Sequence, residues 1–195
     1  MRYRRADIKG GTYFVTVNLA GRKRTLLVDY MDQLRMVINK VKTTHPFHID
    51  AMVILPDHLH AIFTFPQDDC DYPTRWMLIK AGFSRQIPKN ERINTSRLAK
   101  GERGIWQRRY WEHLIRDETD YPRHMDYVHW NPVKHGFLSR VIDWPHSTFH
   151  RYVKNGVYQP NWAGTAASGN GEDFGERYGK ATIGPDGIMS NNDQG

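Results

Sequence analysis

Two histidines one residue apart, His58 and His60 in Leu55-Pro56-Asp57-His58-Leu59-His60-Ala61-Ile62-Phe63, are the side chains best placed to hold a cation. In an extended strand alternate side chains share a face, so both imidazoles point one way and Leu59 the other. The spacing alone decides nothing, because a chain with 10 His in 195 residues yields about one-half such pair by chance. The surroundings add weight. Ile49 to Leu55 is an apolar, β-prone run, Pro56-Asp57 is a turn signal and His60 to Phe65 is a second run, so the pair opens the return strand of a hairpin. Further along, Tyr127 and Asn131 stand four residues apart in a helical pattern, which presents a phenol and an amide on one helix face.

The elements that must position these groups can be read from periodicity. Gly11 to Leu19, rich in β-branched and aromatic residues, predicts a first strand. Asp29 is a candidate cap for a helix with Tyr30, Leu34, Val37, Ile38 and Val41 on one face, closed by Pro46. A second helix starts near Pro73, with Trp76, Ile79, Phe83 and Ile87 at helical spacing and Lys80 and Arg85 off that stripe. Residues 88–104 are polar and punctuated by Gly and Pro, which predicts a mobile loop, and Ile105 to Arg116 resumes a strand-like pattern. Asp117, Glu118 and Asp120 place acids where a helix start favours them. That third helix is expected to end near Trp130, because Pro132 biases Asn131 away from helical geometry. Strand, helix, strand, strand, helix, strand, helix implies an α+β fold: an antiparallel sheet with helices packed on it.

A hydrophobic fraction of 39% in 195 residues supports one well-packed domain. The single cysteine, Cys70, excludes an intramolecular disulfide, and its acidic neighbours Asp68, Asp69 and Asp71 disfavour a reactive thiolate. No stretch approaches the roughly eighteen apolar residues of a membrane span, and Met1-Arg2-Tyr3-Arg4-Arg5 does not resemble a signal peptide, so a cytoplasmic protein without a membrane partner is expected. Charge is uneven. Residues 1–162 hold 26 basic against 16 acidic residues, a net of +10, whereas Ala163 to Gly195 holds two against five together with 8 of the 16 glycines. The expected organisation is a folded domain over 1–164 and a disordered, acidic, Gly-rich tail over 165–195. A strongly cationic domain points to nucleic acid.

Several blocks taken together carry a resemblance. Tyr13-Phe14-Val15-Thr16-Val17-Asn18, the His58 block, Trp106-Gln107 followed by Tyr110-Trp111-Glu112-His113, Asp126-Tyr127-Val128-His129-Trp130-Asn131-Pro132-Val133-Lys134-His135-Gly136, and Asp143-Trp144-Pro145 with Ser147-Thr148-Phe149-His150 resemble, in order, the REP-associated tyrosine transposases. These are the single-tyrosine branch of the HUH endonucleases, within the IS200-like transposase superfamily. The resemblance implies a ferredoxin-like fold, His58, His60 and Asn131 as metal ligands, Tyr127 as nucleophile, and single-stranded DNA hairpins, the repetitive extragenic palindromes, as partners in the nucleoid. At the position of Asn131 the wider HUH group often has the longer Gln.

The implied chemistry is coherent. A divalent ion neutralises and orients a phosphodiester, Tyr127 attacks phosphorus, and the products are a 5′-phosphotyrosine and a free 3′-OH that can reverse the step. Mg²⁺ prefers oxygen ligands and imidazoles suit Mn²⁺, so activity with either is expected. A free phenol has a pKa of about 10 and needs help losing its proton, and the sequence does not identify the base. Hairpin binding calls for a basic groove and aromatic platforms, for which Arg4, Arg5, Trp106, Arg108, Arg109, Tyr110 and Lys134 are candidates. Two alternatives are a domesticated protein that grips hairpins without cutting and a hydrolase in which the two histidines activate water. Oligomeric state is not legible.

Overall fold

The computed structural model describes residues 8–21, 25–91 and 93–162. Arg4, Arg5 and the tail over 165–195 lie outside the described residues. Strand β1 (Thr12–Asn18) is followed by the short helix α1 (Leu26–Asp29), helix α2 (Met31–Thr44), and strands β2 (His48–Ile54) and β3 (His58–Thr64). Helix α3 (Tyr72–Gln86), the one-turn α4 (Thr95–Leu98), strand β4 (Trp111–Leu114), helix α5 (Asp120–Lys134), a 3₁₀ turn (Val141–Asp143) and helix α6 (Phe149–Lys154) complete the order. The four strands run β2-β3-β1-β4 and every neighbouring pair is antiparallel, the ferredoxin-like arrangement expected.

Alternation along the strands builds two cores. Tyr13, Val15 and Val17 of β1 face α2 and α3, where Leu34, Ile38, Trp76 and Phe83 are buried. Phe14 of β1, Ala51 and Val53 of β2 and Ile62 of β3 face the other way, onto Met125, Tyr127 and Val128 of α5. Helices thus cover both faces; the face under α2 and α3 is apolar, while the face under α5 mixes apolar residues with the buried Thr16, Asn18, His58 and His60.

Asp71 caps α3 by accepting from the Thr74 N–H at 3.1 Å, with Pro73 in the first turn. The expected Asp29 cap is not made. Asp29 ends α1 and accepts from the Thr25 hydroxyl at 2.6 Å, while Tyr30 precedes α2 without capping it. The expected mobile loop over 88–104 contains α4 and is tied to its neighbours. Arg103 pairs with Glu91 at 2.6 Å, and Arg97 donates to the Trp106 carbonyl at 3.1 Å.

The largest departure concerns α5, which continues through Pro132 to Lys134 instead of ending near Trp130. Proline removes one helical N–H, but Asn131 and Pro132 are both buried, and a Schellman closure finishes the turn. Gly136 adopts φ +70° and donates to Val133 O at 2.9 Å, while Phe137 N–H donates to Pro132 O at 3.0 Å. Gly136, not Pro132, was the stop signal.

After α5 the chain returns along β2. Ile54 N–H donates to His146 O (2.9 Å), Thr148 N–H to Met52 O (2.9 Å), and Trp144 Nε1–H to Ile54 O (3.0 Å). His129 of α5 meets this segment, with Nε2 at 3.0 Å from the Thr148 hydroxyl and its ring against Phe149 and Tyr152.

Two stability outcomes follow from these cores. A Cβ on Gly82 of α3 would lie 2.6 Å from Val37 Cγ1 of α2, so Gly82→Ala should cost about 1–3 kcal/mol of stability in urea unfolding despite alanine's better helix propensity. Burial pushes the His129 imidazole down to about 3, whereas in the unfolded chain it titrates near its ordinary value of about 6.5. Unfolding therefore takes up a proton between those values, and stability falls as pH drops from about 6.5 towards about 3, by up to about 1.4 kcal/mol per pH unit. The gap between the urea midpoints at pH 7 and pH 5 should narrow in His129→Gln, leaving the part that His124 and His146, also pushed down by burial, contribute.

Candidate functional site

The β2–β3 hairpin turns on Pro56-Asp57, with the Leu55 N–H donating to His58 O at 2.9 Å. This two-residue connection fixes the register that puts His58 and His60 on the α5 side of the sheet. Both rings are buried, 1% and 0% exposed. Each is held at Nδ1 by a second residue. Asp57 Oδ1 lies 2.7 Å from His58 Nδ1, and Thr16 Oγ1 lies 2.8 Å from His60 Nδ1. Thr16 is the direct cross-strand partner of His60 on β1, so the same ladder that aligns the strands aligns the ring. A partner on Nδ1 favours the tautomer whose Nε2 could serve a metal.

The two rings stand 5.0 Å apart between centroids, and a third, His135, stands 5.0 Å from His58. Ligand atoms of His58, His60 and His135 all lie within 4.8 Å of one another. His135 caps α5 and follows Asn131 by four residues. Asn131 is fully buried; its Nδ2 donates to Tyr127 O at 3.3 Å, while its Oδ1 makes no hydrogen bond among the described residues. The three imidazoles fit a divalent transition ion, and the buried Asn131 amide lies one helical turn before His135.

Tyr127 is one turn before Asn131 and 7% exposed. Its ring meets His60 edge-on at 5.3 Å and Phe14 at 5.9 Å. Lys134 Nζ donates to the phenol oxygen at 3.1 Å and lies 4.7 Å from the ring centroid. An ammonium so placed stabilises a phenolate. The structure therefore brings His58, His60, Tyr127, Asn131 and Lys134 together on one side of the sheet.

The other expected nucleic-acid residues lie elsewhere. Trp106 is 5% exposed, packs against Phe83 at 5.5 Å and donates its Nε1–H to Lys80 O at 3.0 Å. It is a core residue that shows only its edge to the cleft described below. Tyr110 is half-buried near Trp76. Arg108 is exposed and pairs with Glu102 at 2.8 Å, and Arg109 is exposed. Trp106, Arg108 and Tyr110 line a cleft of about 720 Å³ beside α3, with Lys80, Arg97 and Arg103 contributing cations. That cleft belongs to the face opposite α5.

Sequence reasoning missed His135, Thr16 and Asp57. The first had a signal, the i, i+4 spacing from Asn131. Thr16 had none until the β1–β3 register was known. Lys134, expected to meet DNA, meets the phenol.

Comparison with known proteins came out as follows. No protein-family model matches the chain. An Escherichia coli K12 protein named REP-associated tyrosine transposase is 48% identical over 162 residues, spanning 83% of this chain and 90% of that protein. A Haemophilus influenzae relative carrying the same family designation is 45% identical over 163 residues, spanning 83% and 93%. A solved structure of a REP-associated tyrosine transposase bound to a REP hairpin superposes with a TM-score of 0.79 at 45% identity, covering 92% of this chain and 99% of that one.

The support for His60 can be tested without touching a ligand. Thr16→Val keeps shape but removes the oxygen at Nδ1, and should weaken Mn²⁺ binding about 10–100-fold with the fold intact, as read by titration calorimetry and circular dichroism.

Proposed function

The chain belongs to the REP-associated tyrosine transposase family, and from that premise we propose that it binds repeat hairpins in single-stranded DNA and cleaves and rejoins the adjoining strand through Tyr127. The observation that carries this reading is the phenol of Tyr127, set against His60 with the Lys134 ammonium 3.1 Å from its oxygen. A divalent ion bound by His58, His60, Asn131 and His135 would supply charge neutralisation at a non-bridging phosphate oxygen. Mn²⁺ suits the nitrogen-rich donor set, and Mg²⁺ would bind more weakly.

The protein's own groups do the rest. Burial between Phe14 and His60 fixes the Tyr127 ring, so the nucleophile is pre-positioned and little rotational freedom is lost on attack. Lys134 stabilises the phenolate while the phenol proton leaves to solvent. The Tyr127 oxygen forms a bond to phosphorus, the P–O3′ bond breaks, and the departing 3′ oxygen takes a proton from water. The 5′ side stays linked to Tyr127. Because one phosphodiester replaces another, a 3′-OH can attack the phosphotyrosine and reverse the step without a high-energy cofactor.

Incubation of a labelled hairpin oligonucleotide bearing a single-stranded flank with Mn²⁺ should give a protein–DNA adduct on a denaturing gel, lost with EDTA. Tyr127→Phe should abolish it and keep hairpin affinity. Cleavage products free of protein would instead identify a hydrolase, and binding with no adduct would identify a non-cutting hairpin protein. Lys134→Met should slow adduct formation about 10²-fold or more, with Lys134→Arg restoring part of the rate.

A further inference from the structure

A second group of metal-competent side chains lies on the same face as Tyr127 and is used by none of the chemistry above. His113 of β4 and Asp120 and His124 of α5 bring their ligand atoms within 4.8 Å of one another. His113 Nε2 is 2.7 Å from Asp120 Oδ2, and His124 Nδ1 is 3.0 Å from Asp120 Oδ1 and 2.8 Å from the Asp120 backbone oxygen, contacts that an ion would replace. The two rings stack at 4.7 Å between centroids. Phe14 separates this group from the first, touching His124 at 4.9 Å on one side and Tyr127 at 5.9 Å on the other.

We propose that His113, Asp120 and His124 form a structural site for a transition divalent cation such as Zn²⁺, clipping the start of α5 to β4. The donor set supports this, since two imidazoles and one carboxylate are standard ligands of Zn²⁺ and its neighbours. So does the spacing. Ligand atoms on one tetrahedral ion with bonds of about 2.0–2.2 Å lie roughly 3.3–3.5 Å apart, between the 2.7 and 3.0 Å contacts to Asp120 and the 4.8 Å limit of the cluster. The surroundings also fit. The Arg116 N–H donates to Asp120 Oδ2 at 3.1 Å and orients the carboxylate, Phe14 forms an apolar wall beside His124, and the partly exposed edges of His113 and Asp120 leave an entry path.

The consequence is local: His124 lies three residues before Tyr127, so an ion here would stiffen the turn that presents the nucleophile.

The test is stoichiometry with Co²⁺ as probe, on full-length, tag-free protein. Equilibrium dialysis and the visible absorption of bound Co²⁺ should count two ions per chain, falling to one in His113→Ala and to one in the His58→Ala, His60→Ala double variant. Asp120→Asn, which keeps the shape, should weaken the second ion about tenfold or more. Zn²⁺ should raise the thermal midpoint of the double variant by several degrees, and adding His113→Ala should erase that rise. No Co²⁺ retained by the double variant, or two ions that survive His113→Ala, would overturn the proposal and leave the cluster a hydrogen-bonded clamp. Because the double variant lacks the first site, this outcome is independent of whether Tyr127 cleaves DNA.

Discussion

The packing of α5 against the β2–β3 face organises the functional half of the molecule. That face carries every second residue of β3, so His58, His60 and Ile62 all look toward the helix. Helical periodicity then aligns Tyr127, Asn131 and, at the cap, His135 along the opposing surface. Two periods, 2 and 3.6, meet at one place, and the meeting is held by apolar neighbours: Phe14, Val53, Met125 and Val128. Remove that contact and the imidazoles would still share a strand, but they would have no phenol beside them.

Such a contact carries a cost. Buried polar atoms need partners, and most here have one, as Asp57, Thr16 and Lys134 illustrate. The Asn131 Oδ1 is left inside the interface without a hydrogen bond among the described residues, a situation that costs about 1–3 kcal/mol. A cation bound at this oxygen, as proposed above, would offset that cost and stabilise the helix that bears Tyr127.

Much of this was legible in the sequence, and for identifiable reasons. The hairpin was readable because Pro56-Asp57 separates two β-prone runs, and α3 because Pro73 marks its first turn and Trp76, Ile79 and Phe83 repeat at helical spacing. The end of α5 was misread because the local rule about a residue preceding proline competes with burial of Asn131 and Pro132, and burial won. Gly136 held the correct signal. Trp106 illustrates a different limit: an aromatic beside arginines reads as a binding platform until the fold turns its indole toward Phe83 and Lys80. Positions defined by cross-strand register, such as Thr16, become visible only when pairing is known.

The return of the chain along β2 has an implication for how copies of this protein meet. A strand at the margin of a sheet invites another strand to pair with it. Here the outward groups of Met52 and Ile54 are already engaged by the segment around His146 and Thr148, and Arg151 adds a bond to Ile49 O at 2.9 Å. The opposite margin is β4, only four residues long. A sheet sealed on one side and brief on the other gives little template for strand addition. Among the described residues, neither margin of the sheet presents a long open row of backbone groups to another molecule.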